Sequence, residues 1–199
     1  MRNVKKYIII CITTIILIIP VFFRVFIEYF LVKEVSITSI SVLILGVFIL
    51  ILIGILIELH FYNSRLLELV KKHDVIEALI NKNNRGLVLI FFSVTMIMEE
   101  LIFRYYSIGI LNSLLGLNCL LTILISSIAF SLYHIHVWFS FKNLRLLLIN
   151  LIYPFLIGLY LGYVFLTYGY WSSLFTHFII ALIMHYTLYK LNINNKFKK

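Results

Sequence analysis

Glu99 and Glu100 stand side by side inside an apolar run, with Arg104 four residues after the second. The run extends from near Leu87 to beyond Ile110, long enough to cross a bilayer. A charged side chain at bilayer depth costs at least about 3 kcal/mol on insertion scales, so three in so short a stretch need compensation. A polar cavity inside a helix bundle, where charges pair and react, supplies it. On a helix, Glu100 and Arg104 share one face while Glu99 points about 100° around the axis. Arg104 can then hold Glu100 ionised while Glu99 faces the cavity, placed to take a proton and return it as a general base does.

No acidic residue follows Glu100. In the second half of the chain, the polar groups within apolar segments are chiefly His134, His177 and His185. A single membrane histidine is most often a hydrogen-bonded packing residue. His134 and His177, at a depth similar to that of two glutamates and an arginine, point to a shared reactive site. His185 lies nearer a helix end and reads as packing. His136 falls near the membrane boundary, and His60 and His73 lie in or beside a loop, so these three stay outside the set.

The elements that must position these groups are membrane helices. The 199 residues are 63% hydrophobic, and the mean hydropathy of +1.08 lies far outside the range of soluble domains. The fold class is all-α, a polytopic membrane helix bundle of about six transmembrane helices plus an amphipathic interfacial segment. The expected spans are Tyr7–Leu31, Ile37–Leu59, Leu87–Leu111, Leu115–Phe139, Leu144–Tyr168 and Trp171–Tyr189. The chain reads as one membrane domain. Residues 1–59 form two accessory helices, 60–86 a cytoplasmic amphipathic segment, 87–189 a four-helix core and 190–199 a basic tail. The N-terminus resembles a signal peptide, but Pro20, Arg24 and Glu28 follow without a small-residue cleavage site, so an uncleaved first helix is expected. Arg24 and Glu28, one turn apart, are expected to pair.

The net charge of +9 does not mark a nucleic-acid partner, because the basic residues lie at helix ends and not in one patch. They suit topology and anionic lipid. Arg2, Lys5 and Lys6, then Arg65, Lys71, Lys72, Lys82 and Arg85, then Lys142 and Arg145, and finally Lys190, Lys196, Lys198 and Lys199 mark alternate connections. Of the intervening turns, only the first carries a basic residue, Lys33. The positive-inside rule places both termini in the cytoplasm. In the segment 60–86, Leu66, Leu69, Val70, Ile76, Leu79 and Ile80 recur at helical spacing. Asp74 and Glu77 resemble a capping box, so two short amphipathic helices on the membrane surface are expected to meet there. Cys11 and Cys119 fall in apolar segments and read as packing residues.

The motifs match a family. Glu99-Glu100-Leu101-Ile102-Phe103-Arg104 resembles the E-E-x-x-x-R motif of the CPBP family, the CAAX-protease and bacteriocin-processing (Abi) intramembrane proteases. Phe130-Ser131-Leu132-Tyr133-His134 resembles its F-x-x-x-H motif. Gly158-Leu159-Tyr160-Leu161-Gly162, then Trp171 and His177, is similar to the family's glycine-rich helix and final histidine helix. The resemblance covers roughly Gly86–Tyr189. One position departs: where the family usually carries asparagine or another polar residue four after the last histidine, this chain has Ala181. If that group helps hold an oxyanion, its loss removes a donor typically worth on the order of 100-fold or more in rate. Thr176 and Tyr133 are the candidate substitutes.

The resemblance implies an intramembrane endopeptidase of a small bacterial type, acting on a peptide or membrane-protein substrate, with bacteriocin processing or self-immunity as its most specific form. It implies that Glu99 and His134 activate a water, that His177 stabilises the oxyanion, and that Glu100 and Arg104 support them. No cofactor is expected. The alternative is a divalent metal such as zinc held by Glu99, His134 and His177, although no H-E-x-x-H run is present. Two other readings stand beside it: an inactive binding or immunity protein on the same fold, which Ala181 would suit, and a proton-coupled transporter, for which repeated halves are the usual mark and are not evident.

Overall fold

A computed structural model describes residues 4–30, 36–81 and 85–196. Arg2, Lys33, Lys82, Lys198 and Lys199, used in the topology reading, lie outside the described residues. The elements in chain order are α1 (Val4–Phe22), α2 (Ile37–Phe61), α3 (Ser64–Val70), α4 (Asp74–Asn81), α5 (Arg85–Glu100), α6 (Ser107–Gly109), α7 (Cys119–Tyr133), α8 (His136–Phe141), α9 (Leu144–Tyr168) and α10 (Tyr170–Lys196). No strand occurs among the described residues, so the protein is an all-α bundle. Five helical stretches are long and apolar enough to cross a membrane: Lys5–Phe22, Ile37–Phe61, Cys119–Phe141, Leu144–Tyr168 and Tyr170–Ile193. This is a multi-pass membrane protein.

The expected third span is not among those five, because its α-helix Arg85–Glu100 is only 16 residues long before the backbone turns π-helical. It is nonetheless a continuous helical rod from Arg85 to Leu114, built of α5, a π-helical stretch Leu101–Tyr106, α6 and a second π stretch Ile110–Leu114. A π turn inserts extra backbone into a helix and often marks a functional site. Here the first begins directly after Glu100.

Side-chain caps set several starts. Asn63, Asn118 and Asn143 each accept the backbone N–H three residues on, at 3.0, 2.9 and 3.0 Å, and open α3, α7 and α9. The turn from α9 to α10 is the single residue Gly169, whose φ of 85° suits glycine best. The closest seam joins α7 and α9. A Cβ on Gly158 would lie 3.0 Å from Ser127 Cα, and one on Gly162 would lie 2.9 Å from an Ile123 methyl. This G-x-x-x-G spacing lets two membrane helices approach backbone to backbone.

Two expectations are corrected, the extent of the first helix and the pairing of Arg24 with Glu28. The first span does not run on to Leu31: α1 ends at Phe22, and Arg24 and Phe26 adopt left-handed φ values of 61° and 56°. Aromatic docking favours the break. Phe30 stacks on Tyr170 at 4.7 Å, Tyr29 stacks on Phe165 at 5.2 Å, and Tyr105 donates its hydroxyl to the Val25 carbonyl freed by the turn. With the helix broken, Arg24 and Glu28 make no ion pair among the described residues. The fourth span is interrupted at His134, where α7 ends and α8 restarts at His136. The short helices α3 and α4 meet as expected, but their apolar stripe packs on protein. Leu66, Val70 and Ile76 cluster with Val137 of α8 and Leu146 of α9. Asp74 opens α4 and also takes Lys6 Nζ at 3.1 Å and the Tyr7 hydroxyl at 3.2 Å from α1.

Candidate active site

Glu100 is saturated. It is fully buried and accepts Ser173 Oγ–H at 2.5 Å and His177 Nδ1–H at 2.9 Å. Its Oε1 also lies 3.3 Å from a nitrogen of the buried Arg104 guanidinium. That guanidinium stacks over the Phe130 ring at 4.2 Å, a cation–π contact strengthened by the full burial of Arg104. Ser173 and His177 come from α10, four residues apart and so on one face. Arg104 sits on the π turn and Phe130 on α7.

Glu99 has a different environment. It lines a cavity of about 290 Å³ together with Phe130, Tyr133, His134, His177 and Ala181. Its nearest charged-type partner is His177 Nε2 at 3.9 Å, too far for a hydrogen bond. The imidazole of His177 therefore stands between the two glutamates, fastened to Glu100 through Nδ1 and turned to Glu99 through Nε2. His134 caps α7, and its Nδ1 lies 2.9 Å from the Phe130 carbonyl. A carbonyl only accepts, so Nδ1 carries the proton and the neutral ring offers its Nε2 lone pair elsewhere.

All five residues singled out in the sequence meet here. Glu99, His134 and His177 reach one cavity from three helices, and Glu100 and Arg104 stand behind them. Among the described residues, no three His, Cys, Asp or Glu side chains converge closely enough to hold a metal ion. Ala181 does line the cavity one turn after His177, so the departure from the motif falls on the cavity wall. Tyr133 lines the cavity too, whereas Thr176 is buried away from it.

Sequence reasoning missed several groups. Ser173 was detectable, since it lies one turn before His177 on the same face. His73, His136 and His185 also line the cavity. His185 packs on Phe92 at 5.2 Å and lies 5.4 Å from His73, so the loop histidine and the packing histidine are neighbours. Their contact depends on how α4 folds back on α10, which no local pattern reveals.

The sequence matches the family described as "Type II CAAX prenyl endopeptidase Rce1-like" over residues 81–183, just over half of the chain. No curated protein and no solved structure matches it. The matched segment contains the paired glutamates, Arg104, both histidines facing Glu99 and the close α7–α9 seam. The chain belongs to the Type II CAAX prenyl endopeptidase Rce1-like family, a family of membrane endopeptidases.

Proposed function

We propose that this protein is an intramembrane endopeptidase in which Glu99 and His134 activate a water for attack on a peptide carbonyl. The observation that carries the reading is the division between the two glutamates: Glu100 is held by three partners behind the wall, while Glu99 faces the cavity with His134 and His177. The water is held by Glu99 and by the Nε2 lone pair of His134. As its oxygen bonds to the carbonyl carbon, its proton passes to Glu99 and the carbonyl oxygen becomes an oxyanion. When His177 carries both protons, Glu100 fixes Nδ1–H and Nε2–H donates to that oxyanion. Glu99 then gives its proton to the amide nitrogen, the C–N bond breaks, and an acid and an amine leave. Arg104 and Ser173 hold Glu100, and through it the angle of His177.

The substrate class is a peptide or a membrane-protein segment. The family name adds prenylated C-terminal tails to the candidates, and processing of, or self-immunity to, a bacteriocin is the most specific form of the reading. The alternation of basic connections supports a membrane protein with both termini in the cytoplasm. Glu99→Gln keeps shape but removes the basic carboxylate, and His134→Ala removes the second water ligand. Each should abolish cleavage by the purified protein, or the linked immunity phenotype, at wild-type expression. Intact cleavage in both variants sinks the mechanism.

One observation favours a second reading. Ala181 leaves an apolar methyl where an oxyanion donor would project into the cavity, as in a binding protein built on the protease fold. Ala181→Asn separates the two: a gain in cleavage identifies a slow protease, and unchanged function together with a silent Glu99→Gln identifies a binder.

A further inference from the structure

A second buried carboxylate lines the cavity and has no part in the chemistry above. Glu58, near the end of α2, is 4% exposed. The one hydrogen bond to its carboxylate among the described residues comes from the hydroxyl of Thr187 on α10. Oε1 accepts none, and no lysine, arginine or histidine pairs with it among the described residues. Tyr62, Asn150 and Tyr153 line the cavity with it. Tyr153 is tied by its hydroxyl to the Leu50 carbonyl at 3.0 Å, which fixes that wall. A carboxylate withdrawn from water costs several kcal/mol unless a cation answers it. Among the described residues its one side-chain partner is a neutral hydroxyl, and the rings of Tyr62 and Tyr153 line the same cavity, where aromatic faces also attract cations.

We infer that Glu58 forms a cation-recognising subsite that takes a lysine or arginine side chain of the bound peptide. The inference rests on the endopeptidase reading for its ligand and adds a register to it. Thr187 marks the Glu58 end of α10 and His177 the Glu99 end, and at 1.5 Å rise per residue these lie about 15 Å apart along the helix. An extended peptide, at about 3.3 Å per residue, covers that in roughly four or five residues. The basic side chain therefore sits about four or five residues from the scissile bond.

The test uses Leu/Ala decapeptides in which one lysine is moved position by position, each with its glutamine twin. They are titrated against the full chain in phosphatidylcholine nanodiscs, and products are mapped by mass spectrometry. Wild type should bind lysine peptides about tenfold or more tighter than their twins, the scale expected for a desolvated charge pair. Glu58→Gln should bring that ratio to about one, and Thr187→Val, which only frees the carboxylate to turn, should lower it partway. A wild-type ratio of one at every lysine position overturns the proposal without any variant, as does a ratio that survives in folded Glu58→Gln. Lysine discrimination without cleavage keeps the subsite and removes the endopeptidase reading. Cleavage with no lysine preference does the reverse.

Discussion

Between two adjacent glutamates, the number of partners decides the role. Ser173→Ala removes the hydroxyl that helps fix Glu100 and leaves a buried acceptor short of a donor. It should lower the unfolding free energy by about 1–3 kcal/mol and reduce cleavage while leaving Glu99 in place. Denaturation and turnover on one preparation check both effects. Arg104→Ala should be worse, about 3 kcal/mol or more, because it strips a buried carboxylate of its cation and leaves the Phe130 face empty. The sequence made Glu99, Glu100, Arg104, His134 and His177 legible because charge in an apolar helix is rare. It did not make Glu58 legible, since a carboxylate near a helix end reads as a membrane boundary, and only the tertiary contact with Thr187 shows it turned inward.

For the helices, closeness matters more than hydrophobicity. Gly158→Leu should drive a branched side chain into Ser127 of α7 and cost about 1–3 kcal/mol or more. The thermal midpoint in detergent should fall, with activity lost as His134 at the end of α7 is displaced. Gly169→Ala asks a Cβ to accept φ 85° in a one-residue turn, at a cost of about 1 kcal/mol. Hydropathy located α2 and α9 to within a turn at each end. It could not show the break after Phe22 or the interruption at His134, because large apolar residues continue on both sides of each. The decisive terms there are aromatic docking and a hydroxyl donated from Tyr105, contacts between residues far apart in the chain.

For the whole molecule, orientation in the membrane sets which compartment supplies the peptide. If both termini face the cytoplasm, single cysteines at Lys72 and Asn143 should resist an impermeant maleimide in intact cells, while one at Leu115 should react. Labelling of Lys72→Cys from outside would reverse the assignment. Composition alone made the bundle legible, and alternating lysines and arginines made its orientation arguable. The polar segment was legible as two helices but not as a wall of the cavity, since a free amphipathic stripe suits lipid and protein equally well.

The contact between α1 and α4 bears on how far this fold can be trimmed. Lys6 and Tyr7 hold Asp74, and Tyr7 stacks on Phe91 at 4.2 Å, yet the lysine side chain is 57% exposed. An ion pair so open to solvent is worth about 0–1 kcal/mol. The segment that defines the family, residues 81–183, contains none of Lys6, Tyr7 or Asp74. A chain trimmed to that segment keeps Glu99, Glu100, Arg104, His134 and His177 and loses one wall of the chamber around them.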